Sequence, residues 1–241
     1  MDRLVTSPVF VLSSARSGST LLRSLLDTHS QIFAPQLNIS DLQVTLSTNW
    51  VELAMQRFEL DNREIEHILW DRLLHGLLVD SGKRIIVEKN VRNSFIWERL
   101  AECWPKARFV FLLRHPANIA ASWMEMATGA ESLTGILDRM LSYIDGVEGA
   151  RSALDGLTVR YEELTAYPEQ QTQRLCDFLQ VPWERDMLDY GRVDRGPFVR
   201  GYGDWGDKIR SGQIQPGRPL PETHEVPAEL QARCHTWGYL P

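Results

Sequence analysis

The chain has 241 residues, 43% of them hydrophobic and 24% charged, with a net charge of −6. That length fits one large α/β domain able to bury its own core, and the acidic balance excludes a global basic field for nucleic acid, so any anion site must be local. Three scattered cysteines, Cys103, Cys176 and Cys234, form no CxxC pair and argue against a disulfide framework or a zinc cluster; with no apolar run long enough to span a membrane, the expectation is a cytoplasmic protein without membrane or nucleic-acid partners.

Residues 8–13, PVFVLS, form a short apolar run bounded by Pro and small polar residues, which predicts a fully buried strand. Residues 18–28 follow as a helix with Leu21, Leu22, Leu25 and Leu26 on one face. Helices are predicted over 40–59 and 61–80; in the second, Ile65, Ile68, Leu69, Leu73, Leu77 and Leu78 recur at helical spacing. RIIVEKN, 84–90, is the second predicted strand, and a helix over 94–104 is stopped by Pro105. RFVFLLRHP, 108–116, is the third strand and the most apolar run in the chain. Pro116 opens a helix over 116–127, and a further helix covers 132–151. GLTVRYEEL, 156–164, supplies a fourth strand and a turn, followed by a helix over 168–180. From 186 to 226 periodicity is lost to Gly, Pro, Asp and Arg, and a stretch of that length with Trp and Tyr in it predicts a functional loop. A short helix near 227–237 closes the chain.

Strands alternating with helices predict a parallel sheet flanked by helices. Ligands of such sheets lie beyond the carboxyl ends of the strands. Three polar clusters fall there: Ser13–Thr20, Glu88–Asn90 and Arg114.

The first cluster, SSARSGST over 13–20, matches the spacing GxxxxGK followed by Ser or Thr at Gly18 and Thr20 only. A small-residue turn leading into a helix aims backbone N–H groups and the helix's partial positive charge at one anion. The lysine that neutralises β/γ-phosphate charge in nucleoside triphosphate enzymes is replaced by Ser19, and Arg16 offers a guanidinium fork instead. Those enzymes also hold Mg²⁺ through an Asp ending a neighbouring strand. Here the third strand ends in Arg114, which would repel a metal and attract a second anion. In RHPANIAASW, Arg114 and Ser122 stand where they could share a phosphate. The pattern predicts a metal-free donor with two separate anionic groups.

Taken together, ARSGST, the Arg114…Ser122 pair, VRYEEL at 159–164 and GDWGDKI at 203–209 resemble, in that order, four blocks of the sulfotransferases that use 3′-phosphoadenosine 5′-phosphosulfate (PAPS). The resemblance spans nearly the whole chain. It lies nearest the bacterial natural-product enzymes, and tyrosylprotein sulfotransferases in the first loop. It implies a P-loop-type parallel sheet in a three-layer sulfotransferase-like sandwich. The chain would be one domain over 1–241, with a helical insertion at about 40–80 and a long active-site loop at about 186–222. By the same resemblance Arg16, Ser17, Gly18, Ser19 and Thr20 would hold the phosphosulfate, and Arg114 and Ser122 the 3′-phosphate. Lys89 would stabilise the bridging or sulfuryl oxygens, and Trp205 and Lys208 would cover the adenosine. The implied reaction moves a sulfuryl group from PAPS to a hydroxyl of a small-molecule or carrier-bound acceptor, without a metal.

The match departs at APQLNISDL, 34–42, where relatives place a Glu or His suited to be the general base. Gln36 and Asn38 stand there, and neither accepts a proton at neutral pH. Glu88, Asp41 and His29 are the remaining candidates, Glu88 first because it adjoins Lys89 at the strand's carboxyl edge. His29 and Asp41 also have structural readings, as the end of one helix and the start of another. His115 reads as packing, Arg160, Tyr161 and Glu162 as braces of the sheet edge, and Trp123 as a lining of the acceptor cleft. Two rivals remain: an ATP–Mg²⁺ P-loop kinase, and a catalytically silent module that binds PAPS or its product.

Overall fold

A computed structural model describes residues 2–45, 49–58, 60–126, 132–192 and 209–241. Five strands form one wholly parallel sheet in the order β2-β3-β1-β4-β5. They are β1 (Val9–Ser13), β2 (Ile32–Phe33), β3 (Ile85–Lys89), β4 (Arg108–Leu113) and β5 (Gly156–Arg160). Every residue of β1 is buried, as expected of a strand paired on both edges and covered on both faces.

Side-chain alternation sorts β1 onto two cores. Val9 and Val11 pack with Leu21, Leu22, Leu25 and Leu26 of α1 (Ser19–Thr28). Phe10 and Leu12 face the other way, onto Trp70 and Leu74 of α3 (Asn62–Ser81) and Leu100 of α4 (Trp97–Cys103). This makes the three-layer sandwich. The helix α2 (Asn49–Gln56) precedes α3. A third core lies under α5 (Pro116–Met124), α6 (Leu133–Ala153) and the last helix, α9 (Ala228–Thr236), joining Ile119, Met140, Ile144, Leu230 and Trp237. The two remaining helices, α7 (Tyr161–Ala166) and α8 (Pro168–Leu179), follow β5 directly.

Several boundaries differ from the sequence expectation. The two-residue strand β2 was missed because it is too short to carry a period. The 40–59 helix is only partly present: a 3-10 turn covers Ile39–Asp41, and α2 begins at Asn49. The 94–104 helix is split into a 3-10 turn, Val91–Phe95, and α4. The 156–164 strand ends at Arg160, and Tyr161 starts α7. In the 186–226 stretch the described parts contain only short 3-10 turns, at Arg185–Leu188, Tyr190–Arg192, Ile209–Ser211 and Thr223–Glu225. All three cysteines are free and buried. No helix among the described residues is long and apolar enough to cross a membrane.

Candidate active site

The turn after β1 is shaped by two left-handed residues, Arg16 at φ 70° and Gly18 at φ 87°. Gly18 is the N-cap of α1 and offers no side chain to its first turn; a helix N-terminus without a side-chain cap is suited to an anion. Glycine is required at 18 for a second reason: a Cβ would sit 2.2 Å from a Tyr161 ring carbon. For Arg16, which has a Cβ, the left-handed backbone is strained, of the kind that gathers at ligand sites. Turns of this sort make concave nests of N–H groups suited to anions.

The two clusters that the sequence separates by about a hundred positions meet here. Arg16 Nε donates to Ser122 Oγ at 3.1 Å, and Arg114 Nη1 donates to the Arg16 carbonyl at 2.7 Å. The Arg114 guanidinium lies 4.7 Å over the Tyr161 ring. Arg114 is buried, and its Nε has no hydrogen-bond partner among the described residues. Burial lowers its pKa, and the nearby Arg218 and Arg16 charges lower it further. Crowded like charge and an unpaired buried N–H both mark a place for an anion. A cavity of about 310 Å³ opens between these groups, bounded also by Ser19, Thr20 and Glu125.

Pro116 starts α5, as expected, and His115 caps it, its Nδ1 accepting from the Ala117 N–H. Glu162 accepts from the His115 N–H and from the Tyr239 hydroxyl. Arg160 donates to the Trp237 carbonyl and lies over the Tyr239 ring. These bonds tie the Arg114 corner to the C-terminal helix. His115, Arg160 and Glu162 are therefore braces, but Tyr161 is part of the cavity wall. Trp123 backs the loop, its indole N–H donating to the Ala15 carbonyl at 3.2 Å.

The β3 end splits what the sequence set side by side. Lys89 registers with Val11 and Glu88 with Phe10, so the two side chains take opposite faces of the sheet. Lys89 is half-buried on the α1 side; burial and the nearby Arg23 charge lower its pKa to about 8. Glu88 is fully buried, accepting from Asn93 Nδ2 and from the Ile39 N–H at 3.4 Å; burial raises its pKa to about 7. A carboxylate so enclosed cannot reach an acceptor unless Asn93 and Ile39 move.

The other base candidates separate too. His29 is wholly buried at the carboxyl end of α1, the end of that helix away from the loop, bonded to the Pro182 carbonyl and the Gln31 N–H. Its structural reading holds. Asp41 is exposed in the 3-10 turn that abuts Glu88, paired with Arg92 at 2.8 Å and with Asn38. Gln36 is exposed nearby. Trp205 and Lys208 lie outside the described residues. Among the described residues no three His, Cys, Asp or Glu side chains are grouped to hold a metal. Sequence reasoning missed Glu125 and Arg218 as cavity residues; neither sits in a motif.

The fold is a P-loop-type α/β sandwich with an arginine-lined cavity at the carboxyl edge of its sheet. The sequence model of the sulfotransferase family matches residues 8–185, and the chain belongs to that family. Over 202 residues it is 25% identical to nodulation protein NoeE of Sinorhizobium fredii, covering 69% of this chain and 48% of NoeE. It is 21% identical over 200 residues to protein-tyrosine sulfotransferase 1 of Danio rerio, covering 76% of this chain and 55% of that protein. The chain thus spans about half the length of these two relatives. Among solved structures, the sulfotransferase domain of the curacin biosynthetic pathway superposes with a TM-score of 0.69 at 24% identity, each chain covered in full. The sulfotransferase domain of the Synechococcus PCC 7002 olefin synthase gives 0.71 at 20% identity, covering 100% of this chain and 99% of that one.

Proposed function

We propose that this protein is a PAPS-dependent sulfotransferase whose acceptor is a hydroxyl of a small molecule or of a carrier-bound chain. The observation that carries the reading is the junction of Arg16, Ser122 and Arg114 around one cavity. PAPS carries two separated anionic groups, and the residues present fit both. The turn at 16–20 and the α1 N-terminus suit the 5′-phosphosulfate. Arg114, with its unpaired Nε, and Ser122 suit the 3′-phosphate. Trp205 and Lys208 remain the residues proposed to cover the adenosine.

PAPS supplies an activated sulfuryl group: the S–O bond to the 5′-phosphate oxygen breaks as the acceptor oxygen bonds to sulfur, leaving adenosine 3′,5′-bisphosphate (PAP). The protein's part is positioning and charge stabilisation, as in phosphoryl transfer. Arg16 and the loop amides meet charge gathering on the departing oxygen. Lys89 adds a cation at the same edge. Asp41, the exposed carboxylate beside Asn38, takes the acceptor proton. Glu88 is better placed to fix Asn93 and the Ile39 backbone than to act as base.

Within the single 1–241 domain proposed here, the segment at 40–80 and the loop at 186–222, of which 193–208 lie outside the described residues, are the parts assigned to acceptor choice. An acceptor of secondary metabolism is in keeping with the curacin-pathway and olefin-synthase domains. The test is incubation with PAPS and either 4-nitrophenol or a 3-hydroxyacyl thioester, following PAP release. Acceptor-dependent release that falls about a hundredfold in Lys89→Ala supports the reading. PAP binding without release under any acceptor would leave a silent binding module, and consumption of ATP–Mg²⁺ instead would make it a kinase.

A further inference from the structure

Glu125 is an acid in two unexpected places. It is the C-cap of α5, where the helix carbonyl end disfavours negative charge. It also borders a cavity whose other charged residues are the cations Arg16, Arg114 and Arg218. Three residues after Ser122, it occupies the same face of α5 one turn on. Its carboxylate is held by Arg218, whose Nη2 donates to both oxygens. Arg218 reaches this point from a segment packed down on the site. Asn118 Nδ2 donates to the Pro219 carbonyl at 3.1 Å, and a Cβ on Gly217 would lie 3.1 Å from Thr165 Oγ1 and 3.4 Å from the Tyr161 ring.

We propose that Glu125 is a built-in competitor for the nucleotide's 3′-phosphate: it holds Arg218 in the ligand-free protein, and Arg218 transfers to the phosphate when the nucleotide enters. The proposal rests on the sulfotransferase reading and adds to it a third guanidinium and an internal anion. Arg218, Arg114 and the Tyr161 ring share one corner of the cavity, so the Arg114–Ser122 phosphate is the one within Arg218's reach. The Glu125 and Arg218 side chains are 60% and 35% exposed. An ion pair that open is weak and exchanges readily for the doubly charged phosphate, which a guanidinium fork binds more strongly. The pair offsets one of the three positive charges that border the cavity. It also gives the product a competitor that speeds its departure.

The experiment is calorimetric titration of the full chain with PAP and with AMP, which lacks the 3′-phosphate. The proteins are wild type, Glu125→Gln, Arg218→Ala, Arg218→Lys and the Glu125→Gln/Arg218→Ala double variant, with unliganded melting temperatures to check folding. Glu125→Gln is expected to tighten PAP about two- to fivefold and leave AMP unchanged. Arg218→Ala is expected to weaken PAP about tenfold, and Arg218→Lys by less. In the Arg218→Ala background Glu125→Gln should have no effect, since the two act as one unit. Equal tightening in that background, equal tightening of AMP, or no tightening at all overturns the proposal. If wild type binds PAP through Arg114 while these variants behave alike, the latch fails and the sulfotransferase reading stands. If no variant binds PAP, both fall.

Discussion

Around Ser122 the protein folds its polar groups onto one another; around Trp50 it leaves apolar ones open to solvent. Arg16, Ser122, Arg114 and Tyr161 are linked by hydrogen bonds and a cation–π contact through elements far apart in sequence. On α2 and just beyond it, Trp50, Leu53 and Phe58 are 81%, 55% and 73% exposed. The side proposed to hold the donor is thus preorganised, which would keep the energetic cost of binding low. The exposed apolar surface on and beyond α2 is the surface proposed to meet the acceptor. A protein with a constant donor and a variable acceptor would be built this way.

The contrast is broken most severely at its rigid end. Gly18→Ala forces a Cβ into the Tyr161 ring on a left-handed backbone, so PAP binding is expected to disappear and the melting temperature to drop by several degrees. Lys89→Ala should lower kcat by about 10²–10³ while calorimetry finds the PAP Kd nearly unchanged. In wild type, kcat should fall as pH rises through about 8, where Lys89 loses its proton. That limb should be missing in the variant.

Asp41 and Glu88 sharpen the comparison next, because one is open and the other sealed. Asp41→Asn is expected to cost roughly 10²–10⁴ in kcat, the worth of a general base, with no loss of PAP affinity. Glu88→Gln should change kcat far less and act on stability instead. Burial lets the folded protein hold the Glu88 proton up to about pH 7, against 4.5 for a solvated glutamate. Between those values the folded state binds more protons than the unfolded one. Its contribution is therefore fully present below 4.5 and is lost as pH rises through 7. Glu88→Gln should flatten that part of the stability curve, measured by urea unfolding across pH.

The smallest effects belong to the open half. Trp50→Ala and Phe58→Ala should leave stability within about 0.5 kcal/mol and the PAP Kd unaltered, while KM for the acceptor rises. A change in donor affinity from either would erase the division between the halves.

Legibility in the sequence follows the same division. VFVLS and RFVFLL were readable as buried strands because a strand covered on both faces is a continuous apolar run, and the loop was readable because ARSGST is contiguous. The Arg114…Ser122 spacing came from the family resemblance, and the structure bonds each of the two to Arg16. Glu88 and Lys89 read as one cluster in the sequence, but adjacency in a strand sends them to opposite faces. Glu125 and Arg218 were invisible: their pairing spans 93 positions, and nothing in GRPL or SWME marks a cavity. Tyr161 was read as a sheet brace because its contact with Gly18 exists only once β5 lies beyond β4.

The central claim is that the Arg16–Ser122–Arg114 cavity binds a doubly anionic nucleotide without a metal. Calorimetric titration with PAP in EDTA, for wild type and Arg114→Ala, tests it most directly. Saturable one-to-one binding in wild type that weakens about a hundredfold or more in Arg114→Ala, the loss of a charged multidentate contact, is the predicted result. Binding of ATP–Mg²⁺ in place of PAP, or PAP binding indifferent to Arg114, would contradict it.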